Sequence, residues 1–381
     1  MPGKKILIAL SGGVDSAVSA ALLKKRGFAV FGAHFRFFDP ALRKGRGRSD
    51  TSLKKARLVA EKLNIPLEIV DARKEFQEKI VDYFISSYKK GITPNPCVVC
   101  NKEMKFRLLF ELLKKKKADF VATGHYARVA RQSLAFESKS GFSLRLIGGF
   151  LKAGLFENSS KPSFNYKLLE ATDKSKDQSY FLHRLTQKEL AKIVFPLGEL
   201  KKTEVRKLAK KFKLPIFEEE ESQDICFMQS NDLNTYLNKY LKISRGGIVD
   251  ESGKILARHK GLSFYTIGQR KGIEIGGTGP YFVIGKNSRK NELIVSNDPK
   301  QLMSKNFKVN NVNWINKPQK FPSRAEVQIR YHSEKFSAII KQEKLGRLVV
   351  ETAKPLRAVT PGQSAVFFKK DEILGGGTIK S

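Results

Sequence analysis

Residues 4–27 read KKILIALSGGVDSAVSAALLKKRG, in the order strand, glycine loop, helix. Ile6–Leu10 is a short apolar run with β-branched members, followed at once by Ser11-Gly12-Gly13-Val14-Asp15-Ser16 and then by a helical pattern. A loop in that place offers its backbone N–H groups and a helix N-terminus to a phosphate or pyrophosphate. Its two glycines let the backbone come close, and its serines add hydroxyls. Neither GxxxxGK[ST] nor GxGxxG occurs in the chain, so a Walker-type loop and the dinucleotide fingerprint are both excluded.

The same rhythm continues outward. Residues 28–35 read as a strand, 52–64 as an amphipathic helix, 66–72 as a strand and 76–91 as a helix. NPCVVCNKEM (95–104) leads into a helix over 105–117 and a strand over 118–126. Strands alternating with helices predict a doubly wound parallel sheet whose ligands gather at the strands' carboxyl ends. Residues 131–165 read as an insertion holding a hairpin, and 168–213 return to helical spacing. The acidic loop 218–224 closes this α/β domain, expected over 1–217. A small central domain is expected over 218–280, with a helix at 233–241 and glycine-rich turns. Short β-branched runs from 281 to 381 predict a C-terminal β-barrel.

The chain has 381 residues, 72 Lys plus Arg against 37 Asp plus Glu, and a net charge of +35. Hydrophobic residues make up 41%, including 27 Phe, which excludes a disordered chain. The positive excess points to a polyanion, nucleic acid first, because phosphates repay Lys and Arg through counterion release. The runs Lys114–Lys117 and 207–213 read as solvated faces or weak contacts to such a partner. No apolar run is long enough for a signal-peptide core or a membrane span, and the expected location is the cytoplasm.

Three cysteines, Cys97, Cys100 and Cys226, cannot build a disulfide framework. Cys97 and Cys100 form a C-x-x-C, but no second paired motif completes a zinc site, and His34, His125, His183, His259 and His332 are scattered. Cys100 precedes Asn101-Lys102-Glu103 and a helix with Lys105 and Arg107. A helix N-terminus and nearby cations lower a thiol pKa, so thiolate chemistry is expected there.

The glycine loop resembles that of the N-type ATP-pyrophosphatase superfamily, adenine nucleotide alpha hydrolase-like in fold, whose members cut ATP between its α and β phosphates. TPNPCVVCNKEMKF, SGGVDS, ATGHYAR, KDQSYFL, FPLGELKKTEVR, SQDICF, TIGQRKG, GGTGPYFV and TPGQSAVF together resemble the tRNA-specific 2-thiouridylase family over nearly the whole chain. The resemblance implies exchange of the carbon-2 oxygen of a wobble uridine for sulfur, at the cost of ATP with magnesium. It implies Cys100 as nucleophile and Cys226 as persulfide carrier. The persulfide either attacks directly or is released when Cys100 forms a transient disulfide with Cys226.

Further roles follow from the same resemblance. Ala9, Leu10, Ser11, Gly12, Gly13, Val14, Asp15, Ser16, Phe35 and Gly124 would form the ATP site, Asp15 facing magnesium. Phe35 departs from the methionine common at its position. Asn95, Pro96 and Cys97 would meet the target base. His125, Lys176, Asp177, Gln178, Arg330, Tyr331 and Gln363 would contact tRNA. The implied partners are the anticodon loops of Lys, Glu and Gln tRNAs and a cysteine desulfurase or sulfur-relay protein. Three rival readings are a small-molecule synthase of the superfamily, a 2-thiocytidine thiolase with an iron–sulfur cluster, and an RNA-binding protein without chemistry.

Overall fold

A computed structural model describes residues 3–38, 48–133, 164–217, 225–228, 233–241, 244–276, 279–343 and 346–380. The insertion expected over 131–165 lies mostly outside the described residues, as does the acidic loop 218–224.

Five strands form the first sheet: β1 (Lys5–Ala9), β2 (Ala29–Arg36), β3 (Leu67–Asp71), β4 (Phe120–Ala122) and, from further along the chain, Ile193–Val194. Two more strands, β5 (Arg128–Ser133) and β6 (Phe164–Leu169), precede that last one, which is therefore β7. The order is β3-β2-β1-β4-β7, and every pairing is parallel. The chain leaves β1 toward β2 on one side and returns as β4 on the other, so a crevice opens at the carboxyl ends of β1 and β4. Ile6, Leu7 and Ile8 are almost wholly buried because helices cover both faces, which is why β1 reads as an unbroken apolar run. Helix Val14–Lys25 packs on one face and helix Arg107–Lys115 on the other.

Two sequence expectations need correction in this region. Residues 185–195 do not form one helix: a single turn, Gln187–Leu190, gives way to β7. The β-branched pair Ile193–Val194 extends the sheet at the edge of β4, and this sheet contact overrides the helical spacing. Residues 282–296 are not barrel strands.

Four strands make the central sheet: β8 (Gly246–Val249), β9 (Ile255–His259), β10 (Phe282–Asn287) and β11 (Glu292–Ser296), in the order β10-β11-β8-β9. The expected boundary at 281 thus cuts through a sheet. Local turns mark strands, but not which sheet a strand joins. The barrel strands are β12 (Met303–Trp314), β13 (Ser323–Gln328), β14 (Phe336–Gln342), β15 (Leu348–Arg357), β16 (Ser364–Lys369) and β17 (Glu372–Lys380). They run β12-β15-β14-β13-β16-β17, and β12 pairs with β17 to close the ring. The architecture is therefore a parallel α/β domain, a small central domain and a closed C-terminal barrel. The hairpin β5–β6 of the first domain joins the outside of this ring through β17.

The seam between the first domain and the barrel is tight. His183 is 1% exposed, and its Nδ1 donates to the Tyr180 carbonyl at 2.9 Å. A Cβ on Gly376 of β17 would come 2.7 Å from the imidazole. Burial lowers the His183 pKa to about 4, against an unfolded value near 6.5. Between those values the unfolded chain binds the proton and the folded chain does not, so stability falls as pH drops through this window. The melting temperature should be lower at pH 5 than at pH 7, and His183→Asn should shrink that difference; an unchanged difference in the variant would contradict the assignment.

Candidate active site

Ser11–Ser16 joins β1 to helix Val14–Lys25 at the crevice. Gly13 occupies the N-cap position with no side-chain cap, which leaves the first N–H groups of the helix facing the loop. The Ser16 hydroxyl donates to the Gly13 carbonyl at 2.9 Å and accepts from Ser11 N at 3.2 Å, so the loop folds on itself. Gly12 has φ +83, and a Cβ there would run into the Ser52 carbonyl. Gly124, after β4, lies against the loop: its Cβ would stand 2.8 Å from Ser16 N. Ala9, Leu10 and Phe35 sit at the ends of β1 and β2 beside it, with Leu10 N donating to Ala33 O at 2.8 Å. These residues make a cradle of backbone donors that fits the phosphates of ATP.

Asp15, expected to face magnesium, is paired within the chain. Lys202 Nζ contacts both carboxylate oxygens at 2.7 and 2.9 Å, and the Tyr126 hydroxyl donates to Oδ1 at 3.0 Å. Lys202 is 9% exposed and belongs to a helix read from sequence as a solvated face. With one carboxylate already paired, the loop fits magnesium only as a companion of ATP, held chiefly by the phosphates.

The second half of the site is one long helical segment. Asn95 caps it, its side chain accepting from Val98 N at 3.3 Å, and Pro96 takes the first turn. Pro96–Cys100 is α-helical, Asn101–Phe106 opens into wider π-type turns, and Arg107–Lys115 is α-helical again. Cys97 is exposed, and Cys100 is buried on the inner face at 6% exposure. Burial pushes the Cys100 thiol up to about 12, with Lys105 alone pulling the other way. This corrects the expectation of a lowered pKa: Cys100 lies a full turn inside the helix, and Arg107 is spent on Glu75 and Glu111.

Cys226 is exposed and lies close enough to Cys100 for its charge to raise that thiol further, as Cys97 also does. Phe227 holds it there. Its ring centroid is 5.2 Å from Phe84, 5.7 Å from Tyr236 and 5.9 Å from Phe76, in the same apolar cluster as Cys100. Residues 126 positions apart in sequence thus come within electrostatic reach of each other, in a cluster against which Phe35 also packs. All three cysteines are free; the Cys100–Cys226 disulfide implied by the resemblance is absent from this structure. Among the described residues no three His, Cys, Asp or Glu side chains are grouped to hold a metal ion.

Most of the expected tRNA-contacting residues ring this site, though several are already engaged. Gln178 is tied to Tyr126, next to His125, through Oε1 and its backbone N–H. Lys176 stands near Asp173 on the same turn. Asp177 turns inward, accepting from Ala171 N and the Ser179 hydroxyl, each at 2.7 Å, so its carboxylate shapes the turn. Arg330 donates to the Ala358 carbonyl and the Thr360 hydroxyl. Tyr331 packs on Phe181 at 4.4 Å and stacks on His332 at 3.9 Å. Gln363 donates to the carbonyls of Thr93 and Pro94, immediately before the cysteine helix.

Comparison with known proteins agrees along the whole length. Residues 4–230 match the family described as tRNA methyl transferase HUP domain, 234–297 its PRC-barrel domain, and 304–379 an aminomethyltransferase beta-barrel domain. The chain is 38% identical to the tRNA-specific 2-thiouridylase MnmA of Buchnera aphidicola subsp. Acyrthosiphon pisum, covering 99% of this chain and 97% of that protein. Its identity is also 38% to the one from Pelobacter propionicus, covering 98% and 97%, and 40% to MnmA 2 from Thermoanaerobacter sp., covering 99% and 98%.

The chain belongs to the tRNA-specific 2-thiouridylase family.

Within this family member, Lys202 and Tyr126 are the site residues that reading the sequence missed. The signal was available in the motifs FPLGELKKTEVR and ATGHYAR, but the facing partner, Asp15, is visible only in three dimensions. Gly124→Ala tests the cradle. Its methyl would displace the Ser16 backbone, and ATP affinity should fall by about tenfold or more, measured by equilibrium binding of labelled ATP. Undiminished binding would show that phosphates sit elsewhere.

Proposed function

We propose that this enzyme thiolates carbon 2 of the wobble uridine in tRNA, taking sulfur from a persulfide on Cys226. What supports this reading most is the nearness of Cys100 and Cys226, in an apolar cluster against which Phe35 at the end of β2 also packs. A small-molecule synthase needs the cradle but not the paired thiols, and +35 of charge suits an RNA.

Uracil resists substitution because its carbon-2 oxygen is a poor leaving group. The oxygen attacks the α-phosphate of ATP, the bond to the β-phosphate breaks, and pyrophosphate leaves along the N–H groups of Ser11–Ser16. Magnesium, when bound with ATP, offsets phosphate charge. On the sulfur side, the Cys100 thiolate attacks Sγ of the Cys226 persulfide. The bond to the terminal sulfur breaks and hydrosulfide departs, leaving a Cys100–Cys226 disulfide. Hydrosulfide adds to carbon 2, and AMP leaves with the original oxygen. A dithiol reductant returns both cysteines to thiols for the next cycle.

The free-state geometry suits this order. Cys226 is exposed, so a cysteine desulfurase or relay protein has access to load it, whereas buried Cys100 stays protonated and unreactive until needed. Asn95, Pro96 and Cys97 line the entrance for the flipped base, an affordable rearrangement in an anticodon loop such as those of Lys, Glu and Gln tRNAs. Tyr331, His125 and the amide of Gln178 would guide that loop.

Mass spectrometry of tRNA incubated with ATP, magnesium and a persulfide-loaded donor should show oxygen replaced by sulfur. Cys100→Ser and Cys226→Ser should each abolish the gain under these conditions. Addition of a methyl group, which the domain description would suggest, gives a different mass and would overturn the assignment.

A further inference from the structure

The wide turn after Cys100 has a consequence for charge. At 3.6 residues per turn, side chains five apart point about 140° apart. In π-type turns, closed from i to i+5, the fifth residue comes back to within about 50°. Asn101–Phe106 is wound this way, and the turn swings Lys105 toward the face that carries Cys100. The Glu103 carbonyl accepts instead from Arg107 Nε at 2.8 Å.

Lys105 differs from its neighbours in its partners. Lys102 is paired with Glu189 at 2.8 Å, and Arg107 with Glu75 and Glu111. Glu103 is taken by Arg184 at 3.2 Å. Among the described residues Lys105 has no carboxylate partner and no hydrogen bond. The titratable groups that feel it belong to two elements: Cys97 and Cys100 on its own helix, the latter with Cys226 nearby, and His125 just after β4. His125 adds no charge: it is stacked on Phe106, its Nδ1 lies 2.8 Å from the Thr123 hydroxyl, and burial keeps it neutral down to about pH 3. Among the described residues this half-buried ammonium faces two thiols and a neutral imidazole, and no carboxylate. A thiolate formed at Cys100 would lie in the field of that ammonium, the one neighbouring charge that favours it.

We propose that Lys105 serves the sulfur-transfer step electrostatically, as the counter-ion of the Cys100 thiolate when Cys100 attacks the Cys226 persulfide. The inference rests on the function proposed above and adds a residue to it. The proton leaves Cys100 to solvent, and the Lys105 charge balances the thiolate until the new sulfur–sulfur bond forms. Hydrosulfide supplied from outside bypasses this step, because it needs no attack by Cys100.

The test compares two sulfur sources in wild type, Lys105→Met and Lys105→Arg, with thiolated tRNA as the product measured. With persulfide-loaded enzyme, Lys105→Met should lose about tenfold or more of the single-turnover rate at pH 7.5, the equivalent of about one pH unit of thiolate. The loss should shrink as pH rises to 9, and Lys105→Arg should recover most of the rate. With excess sodium hydrosulfide the same Met variant should stay within about threefold of wild type, since Cys100 is bypassed. Equal losses from both sources with no relief at high pH would mean a structural role, and an undiminished persulfide rate would mean no role; either overturns the inference. Wild type inactive with both sources would instead overturn the proposed function itself.

Discussion

Phe227, wedged among Phe76, Phe84 and Tyr236, is the contact on which the sulfur chemistry depends, because it fixes the neighbouring Cys226 next to Cys100. Burying one Phe contributes about 2–3 kcal/mol, and each aromatic pair adds about 0.5–1.5. Ordering the 225–228 segment costs about 1–2 kcal/mol per residue. The two sides are of similar size, so the segment is held but not locked. That balance suits a thiol that must meet a sulfur donor outside the protein and a partner thiol inside it.

The helix bearing the other thiols is set by a junction of all three domains. Thr93 N donates to Pro361 O, Gln363 donates to the carbonyls of Thr93 and Pro94, and Lys286 of the central sheet donates to Gly91 O at 3.1 Å. A side chain on Gly362, φ +93, would strike Ile92 and Thr93, so the two loops touch backbone to backbone. The barrel and the central sheet therefore grip the few residues before Asn95, where a small displacement would move Cys97 and Cys100 together.

Charge is allotted sparingly inside a strongly basic molecule. Among the described residues, acids near the site are matched with cations: Asp15 with Lys202, Glu189 with Lys102, Glu103 with Arg184. In the π-type turn Lys105 acts electrostatically on Cys100, and among the described residues it has no carboxylate partner. π-type turns cost regular hydrogen bonding and recur at functional sites, and the Arg107 side chain compensates for part of that cost here.

By itself the sequence determined the parallel first domain, because apolar strand, glycine loop and helix follow one another in a local pattern that periodicity reads directly. Its ordered motifs likewise marked Cys100, Cys226 and the Ser11–Ser16 loop. It misassigned residues 282–296 to the barrel and 193–194 to a helix, since strand partners are chosen by contacts far along the chain. Only the tertiary structure decided that Asp15 is paired with Lys202, that Asp177 faces inward and that Cys100 is more basic than a free thiol. The first and the last depend on partners distant in sequence and the second on how its turn is buried, and neither is encoded in the spacing of neighbouring residues.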